Sequence, residues 1–460
     1  SRVKTWYDQS SRTVKNMKVL VVGSGGREHA ICQSFRRSAR VSALYCANGN
    51  AGIAEIAECV PIKPTDIAGL VEFASQNKVD LTFVGGETSL ALGIVDEFEA
   101  RSLKIVGPSK HASQMESSKS FAKDFMARHG VPTAKYVTAN SPSSAVLALE
   151  SGEFGDEMSP VVVKADGLAA GKGVVVAANR AEAVAAINEM AELVGSDAAE
   201  KIVLEECLFG KEVSLLMFAN GEGFTLMPPT RDHKRIGEGD TGPNTGGMGT
   251  ITDSSLLTSQ ELDNIVETIV RPTLRGCVRE GFPFRGILFL GVMMTAEPVG
   301  GKQLAVGSPF GSEGTSRVPK LLEYNVRFGD PETQAILVRL ESDLVDICEA
   351  MVGGTSQKFP EIKWRPGSSA CVVLASQGYP SAPKTGDMIT GLDEASHVPN
   401  VSVFHAGTSM LVPGEYYTAG GRVLGVTATG ENLDEALSVA YEAASQILFD
   451  GMQFRRDIGK

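Results

Sequence analysis

The sequence predicts a mixed α/β and α+β protein: a parallel-sheet N-terminal domain, a larger middle block, and a small mixed, β-rich C-terminal domain. Three observations carry this. Short apolar runs alternate with helical patterns between 17 and 107, apolar runs beyond 136 come in pairs joined by glycine-rich turns, and Arg365-Pro-Gly367 reads as a linker. A chain of 460 residues has room for about three domains.

The first block has strand candidates at Lys18–Val22, Val41–Tyr45, Asp80–Val84 and Leu103–Val106. Strands that alternate with helices form parallel sheets, because a parallel pair needs a crossover. Gly107-Pro108 punctuates its end, and a helix over 118–130 is stopped by Gly130-Val-Pro132. The middle block has strand candidates Val161–Lys164, Val174–Ala177, Lys201–Glu205 and Val213–Phe218, with helices over 180–194 and 258–280. Past the linker come Ala370–Ser376, Ser402–His405, Arg422–Thr427 and a final helix from about 432. The expected division is 1–16 as an extension, 17–117, 118–350 and 366–460.

Composition excludes several classes. Hydrophobic content of 43% supports ordinary cores, and a net charge of −12 argues against nucleic acid as a partner. No apolar run approaches the roughly 18 residues of a membrane span. The seven cysteines form no CxxC, so free thiols in a reducing cytosol are the simpler reading. Residues 1–16 have no apolar core and do not read as a secretory signal. A natural extension, an artificial leader and the trimmed end of an organelle transit peptide all fit them. A cytoplasmic location is expected, or an organelle stroma or matrix in the last case.

Two glycine-rich loops follow strands. Val21-Val-Gly-Ser-Gly-Gly-Arg-Glu-His29 turns from strand to helix and aims N–H groups at an anion. It fits a dinucleotide fingerprint poorly: Glu28 stands where the last glycine belongs, and Cys46-Ala-Asn-Gly-Asn50 offers no acid for a ribose. A phosphate-bearing substrate and a structural tight turn remain open. Val161 to Val176 frames Lys164-Ala-Asp-Gly-Leu-Ala-Ala-Gly-Lys-Gly173. Its spacing is one residue short of a Walker loop, Gly173 replaces the Mg²⁺-binding hydroxyl, and it joins strand to strand. A glycine hairpin of this kind folds over phosphates as a lid. The alternative is an ordinary long hairpin with a snorkelling lysine.

Three further segments carry polar chemistry. Ile202 to Leu208 ends a strand in carboxylates, with Glu212 shortly after; surface carboxylates explain this equally well. Thr230-Arg-Asp-His-Lys-Arg235 and Gly239 to Gly249 combine a basic cluster with a glycine loop, which suits an oxyanion or a solvated loop. In Lys320 to Glu332, alternation puts Glu323, Asn325 and Arg327 on one strand face, neighbours about 7 Å apart. Carboxylate and amide oxygens suit Mg²⁺, and Arg327 beside them suits a bidentate grip on a carboxylate. Asp330 is expected chiefly as the N-cap of a helix beginning at Pro331.

VVVKADGLAAGKGVVVA, DHKRIGEGDTGPNTGGMG and LEYNVRFGDPETQ, in this order, resemble the glycinamide ribonucleotide synthetase family of the ATP-grasp superfamily. Gly23 to Ala30, Phe404 to Thr408 and Gly420 to Leu424 agree, and the resemblance spans Met17 to the C-terminus. It implies a two-lobed ATP-grasp core with a lid lobe over about 134–205. It implies ATP-dependent ligation of glycine to 5-phosphoribosylamine through glycyl phosphate, with Mg²⁺ or alternatively Mn²⁺.

The resemblance also implies roles. Lys119 and Lys164 contact ATP phosphates, and Asp166, Gly167, Gly171, Lys172 and Gly173 form the lid. Glu205, Glu206 and Leu208 flank adenine, Glu212 meets ribose, and Glu323 and Asn325 bind metal. Gly25, Gly26, Arg27, Glu28 and Glu87 line the ribotide side. Asp232, Lys234, Gly246, Gly247, Met248 and Arg327 surround glycine, with Arg327, Asp232 and Lys172 catalytic. A monomer or weak homodimer is expected. Two departures stand out: Gly86 replaces the family's usual proline, and Glu297 to Pro319 exceeds the usual turn, so a surface excursion is expected there. The competing readings are another ATP-grasp carboxylate–amine ligase and a nonenzymatic nucleotide sensor.

Overall fold

The structure is a computed structural model, and it describes residues 16–167, 173–195, 200–296, 317–354 and 358–460. Strands β1 (Met17–Gly23), β2 (Val41–Asn48), β3 (Glu58–Val60), β4 (Leu81–Val84) and β5 (Ile105–Val106) form a parallel sheet in the order β3-β2-β1-β4-β5. The order reverses between β1 and β4. Ligands of open α/β sheets bind outside the carboxyl ends of strands at such a switch point, and here those ends carry Gly23–Glu28 and Gly85–Glu87. The three-residue β3, Glu-Cys-Val, gave no period to read.

A second sheet, β6 (Tyr136–Ala139), β7 (Val161–Ala165), β8 (Val174–Ala177) and β9 (Ile202–Glu206), runs in the order β6-β9-β7-β8 and is antiparallel. Helices Pro142–Glu150 and Arg180–Val194 cover it. Its core of alanine, valine and leucine, with Ile187, Met190 and Ile202, is separate from the rest. The lobe is tied to the body by polar contacts: Ser120 N–H and Oγ donate to Asp166, and Lys123 pairs with Glu205.

The largest sheet contains β10 (Gly210–Asn220), β11 (Gly223–Leu226), β12 (Thr230–Asp232), β15 (Gly249–Thr252), β16 (Arg285–Ala296) and β17 (Arg317–Asn325), while β13 (Arg235–Gly237) and β14 (Thr241–Asn244) pair apart. Its order runs β17-β16-β10-β12-β15 and then continues into β18 (Ser368–Ala375), β23 (Arg422–Gly430) and β20 (Val401–His405). The C-terminal strands therefore extend the middle sheet, with Gly249 opposite Val372. Beside them, β19 (Met388–Ile389), β22 (Glu415–Thr418) and β21 (Thr408–Val412) make a small sheet. The parallel sheet packs on the large one through Val19, Val21 and Phe83 against Phe218, Phe289 and Phe328.

Three readings change. The helix over 258–280 splits into Ser259–Ile265, a π turn at Val266–Val270 and Arg271–Arg279; Pro272 lacks the N–H that a continuous ladder needs. Asp330 does not cap the following helix, Glu332–Leu337, whose N-cap is Pro331. Its carboxylate instead accepts from the Gln334 side chain at 2.7 Å. Arg317 to Pro319 belong to β17 rather than to the excursion, and the rest of that excursion lies outside the described residues. Among the described residues no helix is long and apolar enough to cross a membrane.

The first and last glycine motifs meet. His405 N–H donates to His29 Nδ1 at 2.9 Å, and the Asn50 side chain donates to Ser24 O and His405 O at 2.8 Å each. Burial, then the neighbouring His405, pushes His29 down to about 3; burial pushes His405 down to about 4. Unfolding restores both to an ordinary value near 6.5. The unfolded chain therefore binds protons that the folded one refuses between pH 6.5 and about 4. Stability is complete above pH 6.5 and is lost as pH falls through this window, at about 1.4 kcal/mol per unit for each fully shifted histidine. The melting temperature is expected to drop steeply from pH 6.5 to 4.5, and less steeply in His29→Asn. Equal slopes would show that this pair is not the source.

Candidate active site

The cleft between the two antiparallel sheets is built from strand ends. Lys119 opens helix Lys119–Arg128, whose N-cap Ser118 accepts from Phe121 N–H. Its ammonium donates to Gly167 O at 3.0 Å. Asp166 is occupied with Ser118 and Ser120, so it fastens the base of the glycine hairpin to this helix. Ala165 N–H donates to Gly173 O and closes the base. Gly171 and Lys172, expected in the lid, lie outside the described residues.

Lys164 finds the anion its valine strand demands. Its Nζ lies 2.7 Å from Glu205 Oε1, and Lys123 Nζ lies 2.8 Å from Glu205 Oε2 and 2.7 Å from Thr133 Oγ1. Glu205 is buried between two lysines rather than open to a base edge. Burial lowers the Lys123 ammonium to about 8, with Glu205 opposing. Sequence reading missed Lys123; the signal was its i+4 spacing from Lys119 on one helix face. Glu206 accepts from Lys135 N–H and pairs with Lys320. Cys207 to Phe209, including half-buried Leu208, form the open linker into β10.

Glu323 on β17 faces Gly291 of β16, which in turn faces Ser214 of β10. Enclosure works against its charge, but Lys164, Lys119, Lys234 and Arg327 hold its carboxyl below the ordinary range. Its carboxylate accepts no hydrogen bond from the described residues. Among the described residues Asn325 Oδ1 accepts only from Arg327, at 3.2 Å. This oxygen pair fits Mg²⁺. Among the described residues no three His, Cys, Asp or Glu side chains converge, so an ion here would complete its shell from phosphate and water, as Mg²⁺ does. Glu212 faces the same cleft, its carboxyl raised by enclosure and then by Glu323 and Asp232.

The bidentate grip expected of Arg327 is not what its surroundings offer. Nε donates to Glu87, Nη1 to Phe328 O and Nη2 to Asn325, and Nη2 also forms an ion pair with Glu116 at 2.8 Å. It supplies charge and orients Asn325 and Glu87. Burial opposes ionisation of Glu87, but Arg327 and Arg27 hold its carboxyl low. Arg27 donates to Phe328 O at 3.0 Å and to Glu28 at 2.6 Å. Glu28 is itself a frame residue: it is buried and accepts from Gly25 N–H at 2.6 Å. A Cβ on Gly85 would stand 2.0 Å from its Oε1, so both glycine loops close around this carboxylate. Gly26 lies under Gln334, where a Cβ would be 2.7 Å from Nε2.

The remaining predicted residues form a third wall. Asp232 accepts from His233 N–H at 2.8 Å and pairs with Lys234 at 2.7 Å. Gly247, at φ +118°, brings its backbone over Asp232 and Pro331. The Met248 side chain is buried in the core, while its backbone pairs with His233 and Val373. Gly246 is clasped from the C-terminal strands: Arg422 donates to Gly246 O at 2.7 Å and to Asp330 O at 2.6 Å, and Gly246 N–H donates to Tyr379 at 3.0 Å. Glu332 and Arg422 were missed, and Asp330 was weighed chiefly as a helix cap, since nothing local marks a carboxylate or arginine as reaching across some ninety residues or more.

Four cations, a carboxylate with no hydrogen-bond donor among the described residues, and two glycine loops thus converge where the parallel sheet meets the large one. Family models for phosphoribosylglycinamide synthetase match the whole arrangement: the N domain over 17–116, the ATP-grasp (A) domain over 117–333 and the C domain over 369–460. The chain is 44% identical to phosphoribosylamine–glycine ligase of Xanthomonas campestris over 96% of its length and 97% of the relative's. It is also 44% identical to that of Vibrio parahaemolyticus, over 96% and 98%. The solved phosphoribosylamine–glycine ligase of Thermotoga maritima is 33% identical, with a TM-score of 0.78 over 96% of this chain and 99% of that one. The biotin carboxylase domain of Hydrogenobacter thermophilus 2-oxoglutarate carboxylase shares the fold alone, at 15% identity and a TM-score of 0.67 over 96% and 92%. The chain belongs to the phosphoribosylglycinamide synthetase family.

Proposed function

We propose that this chain joins glycine to 5-phosphoribosylamine at the expense of ATP, giving glycinamide ribonucleotide, ADP and phosphate in purine biosynthesis. The observation that carries the reading is the placement of Glu323 and its ring of cations on the wall between the hairpin base and the two glycine loops at the switch point. A glycine carboxylate oxygen attacks the γ-phosphorus of ATP, and the bond to ADP breaks. The ribosylamine nitrogen then attacks the acyl carbon of glycyl phosphate, phosphate leaves with the C–O electron pair, and the nitrogen gives up a proton.

Neither step needs a protein nucleophile; positioning and charge neutralisation suffice for phosphoryl transfer. Lys119 and Lys164 neutralise the transferred phosphate, and Glu205 keeps Lys164 pointed into the cleft. Glu323 and Asn325 would hold Mg²⁺, which neutralises charge on the phosphates; the all-oxygen donor pair accepts Mn²⁺ as well. Arg27 and the Gly23–Gly26 turn hold the ribotide phosphate, and the hairpin excludes water from the acyl phosphate. A cytoplasmic monomer or weak homodimer accompanies this reading.

The test is ADP release with glycine and phosphoribosylamine formed in situ from ribose 5-phosphate and ammonia. Release that depends on both is expected. Release that ignores glycine would overturn the reading.

A further inference from the structure

Lys123 is a charged side chain buried like the core around it: 2% exposed, against 8% for Lys164. A lysine is almost never enclosed to this degree unless it is paired. It stands one turn after Lys119 on the helix Lys119–Arg128, and its ammonium donates to Glu205 Oε2 on β9 and to Thr133 Oγ1. The Thr133 hydroxyl donates in turn to Leu321 O at 2.5 Å, and Leu321 N–H donates to Pro132 O at 2.8 Å. Leu321 belongs to β17, where Leu322 bulges between the pairs Val292–Leu321 and Gly291–Glu323. A bulge re-aims the side chains beside it, here Glu323. One ammonium thus fixes the helix that opens with Lys119, the strand that carries Glu205 and the strand that carries Glu323.

The two contacts of Glu205 differ in kind. Lys123 meets Oε2 in hydrogen-bond geometry, whereas Oε1 accepts no hydrogen bond from the described residues, although Lys164 Nζ lies 2.7 Å away. The Lys164 contact to Leu322 O is long, at 3.5 Å. Lys164 is therefore attracted but not consumed, and its N–H groups stay available to an oxyanion. The charges agree with this. Two ammonium groups share one carboxylate, so the trio carries one positive charge in surplus. Surplus charge in an enclosed site is costly until an anion arrives. Lys123 is walled off, so the surplus reaches the cleft through Lys164.

We infer that Lys123 is a positioning residue for phosphoryl transfer: by taking half of Glu205 it leaves Lys164 oriented toward the cleft yet not neutralised. The inference rests on the ligase reading and adds a residue to it. Without Lys123 the whole carboxylate charge falls on Lys164. That pair closes on itself, and a phosphate of ATP has to compete with Glu205 for the same ammonium. Lys123, itself shut off from the cleft, acts through Glu205.

The test is a double-mutant cycle of Lys123→Met, which keeps length and removes charge, with Glu205→Gln. It is read by single-turnover ADP formation at saturating ATP, with glycine and with phosphoribosylamine formed in situ. Lys123→Met is expected to lower the rate about tenfold, within the coupling found between residues of one hydrogen-bond network. The KM for glycine should stay within about twofold, since the lost interaction belongs to the transferred phosphate. In the Glu205→Gln background no carboxylate charge is left to share, and Lys123→Met should cost less than about twofold. A residue that only supported the fold would cost the same in both backgrounds. An equal cost in both, or an unchanged rate in Lys123→Met, overturns the inference. Where Lys123→Met melts prematurely, Lys123→Gln carries the same cycle. Wild-type enzyme without glycine-dependent ADP release would instead overturn the ligase reading itself.

Discussion

Lys164→Ala is expected to lower kcat by about 10²–10³-fold, the usual loss when a preorganised charge at a reacting group is removed, while the protein stays folded. The structure explains why the two effects separate. Lys164 shares Glu205 with Lys123, so its removal leaves a buried carboxylate that still has a 2.8 Å ammonium partner. The strand keeps its apolar anchors Val161 and Val163. What disappears is the cleft ammonium that buried Glu205 orients. Single-turnover ADP formation at saturating ATP, read beside a thermal melt, checks this. A near-normal rate would take Lys164 out of the site.

Arg422→Ala tests whether the C-terminal strands only support the site or help to shape it. Arg422 bridges the loop at Gly246 and the segment at Asp330, with hydrogen bonds of 2.7 and 2.6 Å and an ion pair at 3.3 Å. Without it Asp330 keeps Gln334 but loses its nearest cation, and two carbonyls lose a donor. Breaking one side of a fully buried pair costs about 3–5 kcal/mol, and this pair, 22% and 17% exposed, is expected to cost somewhat less. The expected outcome is a fall in stability of that order and a loss of kcat/KM of at least about tenfold, because the Asp232 and Glu332 walls both rest on the clasped segments. Denaturant titration and steady-state kinetics check it; unchanged kinetics in a destabilised protein would assign Arg422 to support alone.

The parts of the site that were legible are those whose chemistry is local. Glycine loops after strands, a lysine in a valine frame, and alternating Glu323 and Asn325 announce themselves within a dozen residues. The parts that were not are those made by distance. Lys123 looks like any polar position on a surface helix until Glu205 and Thr133 are brought to it. Glu28, inside a glycine motif, looks like a ligand contact, yet the fold spends it on closing Gly25 and Gly85. Arg327 looks free to grip a carboxylate in the sequence, yet the fold commits it to Glu87, Glu116, Asn325 and Phe328 O. The fold was legible in the same measure: hydrophobic period gave most strands, whereas three-residue β3 and the π turn before Pro272 fall below what a period resolves. The pairing of β15 with β18 could not be read, because an edge strand does not name its partner.

That pairing sets a timetable. During synthesis β15 emerges with one edge bare, and its neighbour β18 is made more than a hundred residues later. At about 5–20 residues per second the gap is on the order of ten seconds. An unpaired edge is a template for foreign strands in that interval, and the short four-residue span of β15 limits how much can add to it. The clasp on the glycine loop arrives later still, with Arg422. The whole ATP-grasp segment, 117–333, is already made by then, yet the nascent chain still lacks the strands that complete its largest sheet.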